Sequence, residues 1–141
     1  MFKHVLIAFD GSPSSRKALE VGVRIAQASE AVLSLVSVEE HMPRFPGDIG
    51  EVKDEKERQN NYFATLQREA RDVAKLRGLD FDRAVILVGH VAHQIIDHAR
   101  AIQCDLIVMG HSSGSGVWAN FLGGTAEKVT RYAHCTVIIV R

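Results

Sequence analysis

Five short apolar runs punctuate the chain: Phe2–Asp10 (FKHVLIAFD), Ala31–Val38 (AVLSLVSV), Arg83–Val88 (RAVILV), Asp105–Met109 (DLIVM) and Thr136–Val140 (TVIIV). Their lengths, near-continuous hydrophobicity and β-branched residues predict strands buried on both faces. Between them the period changes. Leu19, Val23 and Ala26, with Ala18, Gly22 and Ile25 beside them, share one helical face, as do Phe63, Leu66, Ala70 and Val73. Ile95, Ala99 and Ile102 form a third stripe, and Ala126, Val129 and Ala133 a fourth. Gly11-Ser12-Pro13 breaks the first strand; Ser12 or Ser14 can cap the helix that follows, with Pro13 suited to its first turn. Pro43, Pro46, Gly47 and Gly50 mark residues 41–50 as a loop. Seven of the eight residues from Glu51 to Arg58 are charged, which reads as a solvated helix face or helix start. That second helix runs to Gly78, a natural C-terminal stop.

Strand and helix alternate throughout, the pattern of an α/β fold with a parallel sheet covered on both faces. Crossovers in such a sheet are right-handed. Ligands of open sheets bind beyond the carboxyl ends of strands, where strand order reverses. Here those ends are Asp10-Gly11, Val38-Glu39, Gly89 and Gly110. No repeat, low-complexity tract or linker divides residues 1–141, so one domain is expected.

Composition narrows the function classes. The 141 residues are 46% hydrophobic and 24% charged, an ordinary globular balance. Seventeen basic residues offset seventeen acidic ones, which argues against non-specific nucleic-acid binding as the main task. No apolar run approaches the roughly 18 residues of a membrane span. The N-terminal run meets Asp10 with no small-residue cleavage site after it, so it reads as a strand and not a signal peptide. Cys104 and Cys135 lack metal-ligand spacing and are expected to be reduced core residues of a cytoplasmic protein. His90, His93 and His98 do not share one helix face, and no metal site is expected.

The chemistry concentrates in residues 109–129, MGHSSGSGVWANFLGGTAEKV, which hold five glycines and three serines between the fourth strand and fourth helix. A helix N-terminus presents unpaired N–H groups and partial positive charge, and glycines let backbone approach an anion closely. Strand, glycine loop and helix together suit a phosphate. The stretch is neither a Walker loop, lacking Gly-Lys-Ser/Thr, nor a dinucleotide fingerprint, since it follows the fourth strand. A plain surface loop remains the competing reading. Asp10 can cap the helix after it or accept hydrogen bonds from a ribose or amine. His111 reads as a solvent-facing loop residue or a phosphate contact.

These pieces together resemble the universal stress protein family over essentially the whole length. The matching segments are HVLIAFDGSPSSRKAL, LSLVSVEE, CDLIVMG and FLGGTAEKVTRYAHCTVIIVR. The resemblance implies a doubly wound, five-stranded parallel sheet in the order 3-2-1-4-5, of the adenine-nucleotide alpha-hydrolase-like kind. It also implies a homodimer that pairs last strands, here Thr136 to Val140. One branch of the family binds ATP through Gly-x2-Gly-x9-Gly-Ser/Thr. Read without a gap, Gly110 and Gly123 match the first and third glycines, while Ser113 and Gly124 depart from the second glycine and the serine. Shifted by one, Gly114, Gly124 and Thr125 match the second half. By this resemblance Ala8 lines the base and Val38 reads adenine through its backbone. Asp10 contacts ribose or the adenine edge, and Gly110 lies beside the ribose. Ser113, Gly114, Gly123, Gly124 and Thr125 hold phosphates.

No nucleophile–base pair, paired carboxylates or arginine finger accompanies this loop, and phosphoryl transfer needs more than a bound nucleotide. The reading is therefore a dimeric stress-response sensor or regulator that binds ATP, ADP or AMP, with Mg as a possible companion ion. A dimeric interaction protein that binds no nucleotide, and a slow ATP hydrolase, are the alternatives.

Overall fold

The structure is a computed structural model and describes residues 1–40, 49–112 and 121–141. Nine elements alternate: β1 (His4–Ala8), α1 (Pro13–Ser29), β2 (Val32–Glu39), α2 (Ile49–Lys75), β3 (Arg83–Val88), α3 (Val91–Ala101), β4 (Leu106–Gly110), α4 (Gly124–Tyr132) and β5 (Thr136–Val140). All four strand pairings are parallel, in the order β3-β2-β1-β4-β5. The order reverses at β1, whose neighbours are β2 and β4.

The period of two along each strand explains the unbroken apolar runs. Val5, Ile7 and Phe9 face one way, with Leu33, Leu35, Leu106 and Val108, and pack against Leu19 and Val23 of α1 and Leu66 and Ala70 of α2. Leu6, Ala8, Val36, Val38, Ile107 and Met109 face the other way, against Ile95 and Ala99 of α3 and Ala126 and Val129 of α4. The two edge strands correct the expectation that all five strands are buried on both faces. Arg83 and Val88 at the ends of β3, and Thr136 in β5, are exposed, and the residues between are half-buried. Hydrogen bonding on one side only leaves an edge strand less covered.

Several boundaries also shift. β1 ends at Ala8 rather than Asp10 because the Ser12 N–H turns back to Asp10 Oδ1 at 2.9 Å. Ser12 is the N-cap of α1, its Oγ accepting from the Ser15 N–H at 3.3 Å, and Pro13 opens the helix. The loop expected over 41–50 gives way to helix at Ile49, and residues 41–48 lie outside the described residues. The charged stretch 51–58 lies in the first turns of the 27-residue α2. Asp105 precedes β4, where its carboxylate accepts the N–H of Lys3 at 2.9 Å and of His4 at 2.8 Å, tying the start of β1 to β4. Burial pushes the Asp105 carboxyl up, but these N–H donors outweigh it and hold the group below its ordinary range.

Cys104 is buried and Cys135 half-buried, and both thiols are free. Burial, with the Cys135 thiol beside it, pushes Cys104 up to about 12. Among the described residues no helix is long and apolar enough to cross a membrane.

One buried polar group makes stability depend on pH. His98 of α3 is half-buried, and its Nε2 has no hydrogen-bond partner among the described residues. Burial, then the charges of Arg83 and His4, lower its pKa below the ordinary 6.5. The unfolded chain therefore takes up this proton more readily than the folded one, so stability fully present above pH 6.5 is lost progressively as pH falls below that value through the lower folded-state pKa. Thermal melts at pH 7.5 and 5.5 should show a smaller acid-side drop for a His98→Gln protein than for the parent. Equal drops would remove His98 from the account.

Candidate functional site

The carboxyl ends of β1, β2 and β4 form the floor of a cavity of about 430 Å³, within the usual range for small-molecule sites. It opens where the strand order reverses. Ala8, Asp10, Val38, Gly110, Gly123, Gly124 and Thr125, separated widely along the chain, all line it. Ser113 and Gly114 lie outside the described residues.

Each wall follows from local sequence. Asp10 and Gly11 form the turn from β1 into α1. Gly11 has φ +84°, and a Cβ there would come within 2.8 Å of Leu66. Glycine meets both demands. The Tyr62 hydroxyl of α2 donates to the Asp10 carbonyl at 3.2 Å and fixes the far side of the turn. Asp10 is exposed and accepts the Ser12 N–H through Oδ1, which braces the N-cap residue of α1, while Ser12 itself caps the helix. Its second carboxylate oxygen adds further acceptor capacity.

β2 outruns β1. The last β1 pairing is Ala8 with Val36, followed by one bond from the Phe9 N–H to the Val36 carbonyl. Backbone groups alternate sides along a strand. The Glu39 carbonyl accepts from Gly89 on the β3 side, so the Val38 N–H and carbonyl face the side that β1 has left. Ala8, Val91, Ile95 and Met109, from the α3 and α4 face of the sheet, supply apolar lining to the cavity. A flat ring with one donor and one acceptor on its edge fits such a slot.

β4 ends at Gly110, where the chain crosses the first turn of α1. A Cβ on Gly110 would stand 2.3 Å from Ser14 Oγ, 2.7 Å from Ser14 C and 2.8 Å from Ser15 N. Two of these are backbone atoms of a capped helix and cannot move aside cheaply. Ser14, one of two candidate caps in the sequence, instead donates from its hydroxyl to the Ser112 carbonyl, 98 residues away. The His111 N–H donates to the Val140 carbonyl at 2.9 Å, and its carbonyl accepts from the Gly123 N–H at 2.7 Å. His111 lines the cavity and is half-buried, so it is not the solvent-facing loop residue that one reading gave.

The two helix N-termini at the cavity differ. Ser12 caps α1 with its side chain, whereas Gly123 at the N-cap of α4 has no side chain with which to bond the first turn. First-turn amides have no acceptor within their own helix. Those of α4 belong to cavity-lining residues, which makes this the end of the cavity suited to an anion. Gly123 is confined, since a Cβ there would stand 3.3 Å from the His111 carbonyl oxygen, while a Cβ on Gly124 would meet nothing within 4 Å.

Sequence reasoning missed the opposite end. Glu39, Glu40, Gln59 and Tyr62 line the cavity near β2 and α2. Glu39 is only 4% exposed, and its Oε1 has no hydrogen-bond partner among the described residues. Its position directly after Val38, at a strand carboxyl end, was the signal that could have found it. Among the described residues, no cluster of His, Cys, Asp and Glu could hold a metal ion.

This arrangement has counterparts. The profile of the universal stress protein family matches residues 1–141. A universal stress protein of Thermus aquaticus, encoded in the QAH/OAS sulfhydrylase 3'region, is 33% identical over 141 residues, covering 100% of both chains. The universal stress protein UspA from Lactobacillus plantarum superposes with a TM-score of 0.85 at 25% identity, covering 99% of this chain and 97% of that one. A universal stress protein crystallised in complex with cAMP gives a TM-score of 0.76 at 28% identity, again covering 99% and 97%. The fold is that of the adenine-nucleotide alpha-hydrolase-like proteins.

The contact at Gly110 generates a prediction that needs no ligand. Gly110→Ala should lower unfolding free energy by about 2 kcal/mol, the usual scale of overpacking, read by urea denaturation. An unchanged midpoint would mean that β4 and α1 separate without cost.

Proposed function

The chain belongs to the universal stress protein family, and from that premise we propose that the strand-end cavity binds an adenine nucleotide, making the protein a nucleotide-responsive regulator. The observation that carries this reading is the cavity's polarity along the sheet. A backbone donor–acceptor edge at Val38, a carboxylate at Asp10 and the uncapped start of α4 line one continuous space. A base, a sugar and a phosphate chain present matching groups in that order. The cAMP complex of a relative at 28% identity supports the ligand class.

In this reading the base lies against Ala8 and along the Val38 backbone. The ribose hydroxyls donate to Asp10 near Gly110. The phosphates lie at Gly123, whose own N–H is held by the His111 carbonyl, and meet the amides of Gly124 and Thr125, with Ser113 and Gly114 completing the cradle. ATP, ADP and AMP share these contacts, and Mg would accompany the longer phosphate chains. The departure from the family motif at Gly124 costs a hydroxyl and no backbone donor. Thr125 lies next to it and carries one.

Among the described residues the cavity has a place for the ligand and no evident machinery for rapid turnover. Ligand would act by binding one arrangement of the phosphate loop better than another. The homodimer belongs to the same proposal: β5 is a half-buried apolar edge, and pairing with its twin would cover it.

Calorimetry tests the reading. ATP or AMP should bind at one per chain. Asp10→Ala should weaken binding about tenfold, the scale of a hydrogen bond to a charged group. Gly124→Ser, whose side chain enters open space, should tighten ATP binding several-fold by adding a hydroxyl donor. A folded parent protein that gives no heat with millimolar nucleotide would contradict the proposal.

A further inference from the structure

The amino ends of the strands, opposite the cavity, hold a second piece of chemistry. Cys104 and Cys135 are the two cysteines of the chain, and the fold brings them together. β4 and β5 are parallel neighbours that begin by pairing Leu106 with Thr136, and one cysteine stands just before each strand. Cys104 follows the end of α3 and Cys135 the end of α4, and both pack into the same apolar cluster. The Cys104 backbone is braced on two sides. Its N–H donates to the Ala99 carbonyl at 3.2 Å, and its carbonyl accepts from Nε2 of His134, the residue before Cys135, at 3.0 Å. The two thiols are in hydrogen-bond contact, with Cys104 donating to the Cys135 sulfur.

We propose that Cys104 and Cys135 form an oxidisable pair that a hydroperoxide converts to an intramolecular disulfide, latching the start of β4 to the start of β5. This is independent of the nucleotide reading. Cys135 is half-buried and Cys104 is 2% exposed, so the oxidant meets Cys135 first. Burial raises the Cys135 thiol, and the hydrogen bond from Cys104 works against that rise. Cys135 Sγ attacks one peroxide oxygen: an S–O bond forms, the O–O bond breaks, and the thiol proton leaves with hydroxide as water. Cys104 Sγ then attacks the Cys135 sulfur: the S–S bond forms, the S–O bond breaks, and the second proton leaves in a second water. The two thiols lose two electrons and the peroxide gains them. Both thiols are raised, so thiolate is scarce at neutral pH and the pair answers sustained oxidation and not traces. The bond closes a loop that contains β4, the glycine-rich stretch and α4.

Hydrogen peroxide on the folded parent protein, followed by a tryptic map without reductant, tests the pair. Trypsin cuts after Arg100, Lys128 and Arg131, which puts the two cysteines on separate peptides, 101–128 and 132–141. After peroxide these peptides should be joined, and dithiothreitol should separate them. The oxidised protein should melt about 5 °C or more above the same sample after dithiothreitol, because the closed loop constrains the unfolded chain. In Cys104→Ser the Cys135 sulfenic acid has no partner thiol and should be trapped by dimedone, whereas Cys104 in Cys135→Ser should stay reduced under the same exposure. Cysteines that stay reduced in the folded parent at a dose that oxidises the urea-unfolded chain would overturn the proposal. So would cysteines that gain oxygen without joining, or that join only to a second copy of the chain. Joined peptides with no rise in melting temperature would overturn the latch.

Discussion

The close crossing of β4 over the first turn of α1 is the constraint on which the cavity depends. Gly110 lies so near Ser14 and Ser15 that a methyl group would overlap helix backbone. The contact holds the end of β4 against the capped end of α1, and Ser14 extends the grip to Ser112. From there the Gly123 N–H returns to the His111 carbonyl, which sets where α4 begins. A glycine often read as a ligand contact thus has a prior structural task. It brings two helix N-termini and three strand ends to one place, and any ligand chemistry follows from that convergence.

The resulting cavity is polar at both ends for opposite reasons. At α4 the protein offers donors: first-turn amides at an N-cap that carries no side chain. At β2 it offers the backbone N–H and carbonyl of Val38, and at β1 the carboxylate of Asp10. Apolar residues of β4 and α3 lie between, Met109, Val91 and Ile95 among them. A symmetric anion such as phosphate uses one end only. A molecule with an anionic tail and a donor-bearing head uses the whole length, which is why the proposed ligand is a nucleotide and not a free anion.

Much of the fold was legible because its signals are local. Aliphatic runs of four to eight residues, helical stripes and the Gly11-Ser12-Pro13 break each report on a few neighbouring residues. What was lost is what depends on distant partners. Edge and central strands look alike in sequence: TVIIV of β5 is as apolar as LIVM of β4, yet only the latter is buried. Ser12 and Ser14 are equally good caps on paper, and the choice is made by Ser112, far along the chain. The site was legible where strand ends and glycines mark it, at Asp10, Val38, Gly110 and Gly123. It was not legible at Glu39 or Tyr62, whose importance comes from burial and from α2 folding back over the β1 turn. Ser113 and Gly114 fall outside the described residues, so their part rests on the motif alone.

The central claim is that one ligand spans both ends of this cavity. Titrating AMP into ¹⁵N-labelled protein and following backbone amide resonances tests it most directly. The account predicts saturable shifts at Val38, Gly110, Gly124 and Thr125 together, with the same midpoint. Shifts confined to the start of α4, reproduced by inorganic phosphate alone, or no shifts at all, would contradict it.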